Sequence, residues 1–328
     1  MISLKTNYLG LTLNSPLIIG SCELSSSVQN IIDFEKQGAG AVVMKSLFEE
    51  QILNEVNSAM GYSESSNQYP EALDYISTYS RDNSINNYLK LIRDCKKSVS
   101  IPIIASINCI SASEWMEYAG KIQEAGADAL ELNIYIMPSD PNRTSVQNEK
   151  VYFDILEGVL KHVKIPVAVK LSTYFAGLAE TTRRLSWAGA KGIVLFNRFY
   201  SLDIDIDTLK LSVTNVFSSP DEIYIPLRWV ALLSGNLQCD VAASTGVHDA
   251  KGMIKMLLAG AKTVEVVSTV YKHGHGRIAE ILAGLEDWMV KNNFEQPSDF
   301  IGKASYKKAV NPVAYARVQF MKHYAGIE

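Results

Sequence analysis

Lys170 stands inside the apolar run Val167-Ala168-Val169-Lys170-Leu171, and Lys45 closes another, Val42-Val43-Met44-Lys45-Ser46. An ammonium among such residues must find a partner, lose its charge, or extend along its stem to a wet rim. Two such lysines at one mouth would make a cationic site suited to an oxyanion, a phosphate or an electron-rich ring. They could equally form a Schiff base with a phosphorylated carbonyl substrate. Other apolar runs end in Ser21, Ser46, Asn108, Asn133, Ser172, Asn197, Ser244-Thr245 and Ser268-Thr269. Asn133 and Asn197 can read the amide edges of a ring, or satisfy loose backbone at a rim. Thr245-Gly246-Val247 and Ser268-Thr269 can turn backbone N–H groups toward a phosphate, although glycine also serves as a plain turn former. His248, next to this loop, reads as a helix cap or surface residue rather than a base.

These residues belong to eight short runs: Pro16–Gly20, Ala41–Lys45, Ile101–Ile107, Ala129–Ile134, Val167–Ser172, Gly192–Asn197, Asp240–Thr245 and Thr263–Ser268. Most are continuously apolar, the mark of parallel strands covered on both faces, and each is followed by a stretch of helical length. Eight β-then-α units predict an α/β fold, a closed (β/α)₈ TIM barrel, in which chemistry sits at the C-terminal strand ends. Trp115, Tyr118, Ala119, Ile122 and Ala125 form one helical stripe, with Ser111 and Glu114 as its capping box. Ile278, Ile281, Leu282, Leu285, Trp288 and Met289 form another. Gly38, Gly126, Gly189 and Gly260, each followed by an alanine just before a strand, suit left-handed helix ends. The segments from Ser46 to Ser100 and from Arg198 to Tyr224 exceed a plain unit and are expected to cover the active face. Leu4 to Leu13 reads as an N-terminal hairpin, turning near Gly10, that plugs the barrel bottom. After Phe300 the chain turns polar, Pro312 interrupts it, and the tail is expected to pack outside the barrel.

With 328 residues, 47% of them hydrophobic and 20% charged, the chain can bury a large core, and a single barrel domain spanning 1–328 accounts for it. A net charge of −4 provides no basic field for nucleic acid or an acidic membrane. The N-terminus lacks the order of a secretion signal and no transmembrane run is present, which predicts a cytoplasmic protein. The four cysteines stand singly, so neither a disulfide scaffold, nor structural zinc, nor an iron–sulfur centre is expected.

The chain resembles the dihydroorotate dehydrogenases. The resemblance rests on Lys45-Ser46, Asn133, Ile165-Pro166-Val167-Ala168-Val169-Lys170-Leu171, Asn197, Thr245-Gly246 and Asp299-Phe300-Ile301-Gly302-Lys303, and spans roughly residues 1 to 303. Members of that family are FMN-binding barrels that oxidise dihydroorotate to orotate in pyrimidine biosynthesis, and soluble ones are often homodimers. The resemblance implies that Ser21, Lys45, Ser46, Asn133, Lys170 and Asn197 surround the flavin ring and ribityl chain. It implies that Thr245, Gly246, Val247, Ser268 and Thr269 hold the phosphate, and that Lys170 steadies charge at the N1–C2=O side.

Three departures alter the expected substrate chemistry. Where the family reads N-x-S-C-P-N with the proton-abstracting base, this chain has Asn133-Ile134-Tyr135-Ile136-Met137-Pro138. Ser139, Asp140 and Tyr135 are the nearby candidates, and Ser139 is taken with Lys170 and Lys45 as the catalytic set. No substrate-reading asparagine stands near Ile76-Ser77-Thr78-Tyr79. The family's V-Q-x-G-T becomes Val264-Glu265-Val266-Val267-Ser268, with a side chain where a glycine lies near the phosphate. The leading expectation is an FMN oxidoreductase on a dihydropyrimidine-like small molecule, passing electrons to a soluble acceptor or a separate subunit. A flavin-binding protein without dihydroorotate turnover is the second reading, and the Schiff-base lyase the third.

Overall fold

The chain opens on an antiparallel hairpin of β1 (Thr6–Tyr8) and β2 (Leu11–Leu13), turning through Leu9 and Gly10, both at positive φ. A computed structural model describes residues 2–50, 52, 70–109, 112–199 and 201–316. All eight predicted runs are strands: β3 (Leu17–Ile19), β4 (Ala41–Val43), then past the short β5 (Leu47–Phe48), β6 (Ile103–Asn108), β7 (Ala129–Asn133), β8 (Val167–Leu171) and β9 (Gly192–Leu195). The hairpin β10 (Ser201–Asp205) and β11 (Lys210–Thr214) intervenes before β12 (Asp240–Ser244) and β13 (Thr263–Val266). Parallel pairing runs β3, β4, β6, β7, β8, β9, β12, β13 and back to β3, which closes the barrel. Several strands stop a residue or two before the predicted ends, because the chain leaves the ladder where it reaches the mouth.

Alternate strand residues point inward and build layers across the barrel. The lowest is apolar: Ile18, Val43, Ile104, Ala129, Ala168 and Val194 close on Tyr8, Leu9 and Leu13 of the hairpin, so the hairpin is the predicted plug. Gly192 makes room for it, since a Cβ there would lie 2.5 Å from Leu9 Cδ2. Asp240 anchors it by accepting from Leu9 N over 2.9 Å. The next layer is polar, with Ser106, Glu131, Lys170 and Glu265 all buried.

Outside the strands, the predicted stripes face the core. Trp115, Tyr118, Ala119 and Ile122 are buried, as are Ile278, Ile281, Leu282, Leu285 and Met289. Ser111 of the expected capping box lies outside the described residues. Gly38, Gly126, Gly189 and Gly260 all take positive φ between helix and strand, as their position demands. The tail packs outside the barrel through Gly302 N to Leu257 O, Ala304 N to Leu258 O and Tyr306 N to Ala231 O, with Pro312 just ahead of the turn Val313–Ala316.

The two insertions have different fates. The first supplies the long helix Pro70–Ser98, of which Ile85, Tyr88, Leu89 and Ile92 are buried against the barrel. The second is the β10/β11 hairpin, whose Leu202, Ile204 and Leu211 stand 58 to 71% exposed. Among the described residues no helix is long and apolar enough to cross a membrane.

Candidate active site

Parallel register sets the mouth. Asn133 on β7 lies opposite Lys170 on β8, and Ser244 on β12 lies opposite Glu265 on β13. From this ring grows a string of side-chain hydrogen bonds. Asn197 Nδ2 donates to Asn133 Oδ1 (2.7 Å), Asn133 Nδ2 to Ser46 Oγ (3.4 Å), and Ser46 Oγ pairs with Ser21 Oγ (3.1 Å) and Ser106 Oγ (2.7 Å). Asn108 Nδ2 secures the string by donating to Asn133 O over 2.8 Å. Six residues from five strands and their ends are thus linked, as side chains closing a barrel mouth must be if their polar atoms are buried.

A cavity of about 200 Å³ opens above Lys170 and Glu265 and is lined by Ser21, Asn197, the segment Ser244–Val247 and Val267–Ser268. Gly246 has φ +79°, and a Cβ there would sit 2.3 Å from Ile223 N, so only glycine fits between this loop and the 3₁₀ turn Pro220–Ile223. The Ser268 hydroxyl accepts from Ser218 N over 3.0 Å. Thr269, by contrast, is fully buried and donates to His248 O over 3.1 Å, so its hydroxyl braces the loop instead of facing the cavity.

Lys170 is not a free cation. Its Nζ lies 2.6 Å from Glu265 Oε2 and 3.4 Å from Glu131 Oε1, with all three side chains buried. Burial alone would lower the lysine's pKa, but attraction to Glu131 and Glu265 outweighs it and holds the ammonium well above its usual range. Burial, then the Glu265 charge, push Glu131 up to about 8. Oε1 of each glutamate, and Tyr8 Oη beneath them, are buried without a hydrogen-bond partner.

Lys45 belongs to a different pocket. Its Nζ pairs with Glu23 Oε2, which holds the Glu23 carboxyl below its ordinary range. It lines a cleft of about 470 Å³ with Ser46, Phe48 and, from the long helix, Asn83, Asn87 and Tyr88. The expected single cationic site is therefore two separately neutralised lysines. Asn83 and Asn87, one helical turn apart, bring amides to the side of the mouth where the sequence reading found none; their i, i+4 spacing was the available signal. The segment Ile76–Tyr79 falls on this helix, with its side chains outside the described residues.

The loop after β7 turns away from both spaces. Ser139 is exposed and lines none of the described cavities, while Tyr135 packs edge-on against Phe199 at 4.2 Å, and Phe199 stacks on Tyr174 at 4.8 Å. His248 is neither cap nor surface residue: Asp249 caps the helix Ala250–Ala259, while buried His248 pairs through Nε2 with Ser218 Oγ at 3.0 Å. Arg198, another residue the sequence reading passed over, binds Glu222 and the carbonyls of Asn215 and Val216, fixing the base of the second insertion over the cavity.

The profile of the dihydroorotate dehydrogenase family matches residues 3–289. The chain belongs to that family. It is 26% identical over 321 residues to the dihydroorotate dehydrogenase B (NAD(+)) catalytic subunit of Thermoplasma acidophilum, covering 93% of this chain and 99% of that one. The protein of the same name from Methanothermobacter thermautotrophicus is 24% identical over 322 residues, covering 92% and 98%. That from Pyrococcus furiosus is 25% identical over 310 residues, covering 92% and 99%. As a member of the dihydroorotate dehydrogenase family the chain is an oxidoreductase.

Proposed function

We propose that the chain, as one barrel domain over 1–328, binds FMN at the mouth and exchanges a hydride with a dihydropyrimidine-like substrate, as in the dihydroorotate step of pyrimidine biosynthesis. The observation that carries this reading is the string Ser21–Ser46–Asn133–Asn197 meeting the Lys170 wall of one cavity, with the Thr245–Val247 loop and Ser268 at its far end. The donor set fits the cofactor. Amide and ammonium groups suit the ring edge, and the tight Gly246 turn and Ser268 hydroxyl suit the phosphate end. Thr269 contributes only by holding that loop.

Bound FMN would supply hydride chemistry at its N5 atom. In this chain, Asn133 and Asn197 would orient the ring, Lys170 would balance negative charge on its N1 side, and Val267 would narrow the phosphate end. Lys45, Asn83 and Asn87 would grip the substrate from the adjoining cleft. Ile136 and Met137 cannot take a proton, and exposed Ser139 would need the loop to swing inward. That observation favours the second reading, flavin binding without dihydroorotate turnover. Lys170, held charged by Glu265, is a poor Schiff-base nucleophile, which weighs against the lyase.

The relatives' title "catalytic subunit" supports a separate electron-accepting partner for this cytoplasmic enzyme. The exposed apolar face of β10/β11 supports a homodimer. The deciding experiment is the visible spectrum of the purified protein, with the released chromophore identified, followed by anaerobic addition of dihydroorotate. A two-banded yellow spectrum bleached by dihydroorotate is the expected result. A colourless protein that takes up no FMN overturns the reading, and a yellow one that stays oxidised leaves the second.

A further inference from the structure

Between the apolar floor of the barrel and its mouth lie two carboxylates around one ammonium. Glu265 is in contact with Lys170 at 2.6 Å and Glu131 follows at 3.4 Å, with none of the three side chains more than 9% exposed. If both acids were ionised, the layer would hold an uncompensated negative charge in an apolar interior, the costliest of the available states. Glu265 Oε1 is buried with no hydrogen-bond partner, and Glu131 Oε1 meets the ammonium only at ion-pair distance, so a second full negative charge would be poorly answered. The titratable groups facing the pair are Lys170 from β8, Tyr8 from the plug and Tyr88 from the long helix. Asp240 and Cys239 face Tyr8 from below. Only Lys170 among them is a cation, so a second positive charge has to be a proton.

Resting on the FMN reading above, we propose that Glu131 and Glu265 hold one proton between them and with it cancel the charge of Lys170. The flavin edge then meets a neutral triad whose protonation is linked to reduction, instead of a fixed cation. No bond to carbon is made or broken by these residues. The hydride comes from substrate, and the proton stays on the carboxyl pair while negative charge grows at the ring above. By reciprocity, whatever stabilises that charge tightens the pair's hold on its proton. A glutamate at 265 as well as at 131, both meeting one lysine, is what creates the device.

Sulfite, which adds to a bound flavin and leaves negative charge on its N1 side, reads the charge of the triad without turnover. Removing either acid should release the shared proton, because the remaining carboxylate pairs with Lys170 and the triad stays neutral. Glu131→Gln and Glu265→Gln should therefore bind sulfite near neutral pH about as the parent does. The double variant, which uncovers the ammonium, should bind at least about tenfold tighter. With rising pH the parent should lose sulfite affinity relative to both single variants, as the pair gives up its proton. A Glu265→Gln variant that alone reaches the full gain of the double, or a parent whose pH profile matches the singles, overturns the proposal.

Should the double variant not fold, the singles' pH profiles decide. Should FMN not bind, infrared difference spectra of the FMN-free protein decide. A buried carboxylic-acid band in the parent, absent from both singles, supports the shared proton, and its absence from the parent overturns it.

Discussion

Asn197 Nδ2 donates to Asn133 Oδ1 over 2.7 Å, joining the ends of β9 and β7, which are separated in the ring by the Lys170 strand. The amide of Asn133 is thereby fixed with its nitrogen toward Ser46. Asn197→Ala leaves a buried acceptor unmatched at a cost of about 1–3 kcal/mol. The expected outcome is FMN affinity lower by about tenfold or more with the fold intact, measured by fluorescence titration against circular dichroism. Unchanged affinity would detach the string from the flavin.

Val267 occupies space that only a glycine at 20 leaves open. A Cβ at Gly20 would lie 2.9 Å from Val267 Cγ2 and 3.4 Å from Glu265 Oε2. Gly20→Ala should destabilise by about 1–3 kcal/mol, the usual cost of overpacking. Val267→Gly in the same chain should recover much of that loss. Denaturant melts of the double-mutant cycle measure the coupling, and additive losses would show that the two positions do not meet.

Asn83 and Asn87 reach the cleft from the long helix beside Lys45. Alanine at either should raise KM for the substrate several-fold and leave FMN content unchanged. Glu23→Gln, which frees Lys45 from an exposed pair, should shift stability by no more than about 1 kcal/mol while altering KM. Steady-state kinetics on FMN-loaded protein separate the two effects.

Glu131 carries its proton up to about 8 in the fold against an ordinary 4.5. The native state thus binds a proton that the unfolded chain releases, so the contribution of Glu131 to stability is full below about 4.5 and is lost as pH rises toward 8. Glu131→Gln should flatten that fall, as seen in urea midpoints across the window. A parent whose stability rises over the same range, relative to the variant, would reverse the assigned sign.

The β10/β11 face exposes Leu202 and Ile204 at 58% each and Leu211 at 71%, with Asp203 and Asp205 on alternate positions. Ile204→Asp together with Leu211→Asp should convert a dimer to a monomer by light scattering without loss of helix content. A variant that remains dimeric moves the interface elsewhere.

Periodicity alone made the barrel legible. Continuous apolar runs, Ala-Gly-Ala ends and helical stripes each depend on contacts a few residues apart, so the eight strands and the plug could be read along the chain. The strand-end residues Ser46, Asn133, Asn197 and Lys170 could be located for the same reason, since a strand that ends in a polar residue delivers it to the mouth wherever its neighbours lie. What those residues touch was not legible. Glu131 and Glu265 stand 134 positions apart and look like ordinary strand acids until ring closure and register bring both onto Lys170. Likewise Lys45 parts from Lys170 because Glu23 draws it to another cleft, and Thr269 turns from the cavity to hold His248. Charge balance and hydrogen-bond satisfaction in a buried layer are sums over every strand that enters it, and only the closed barrel decides those sums.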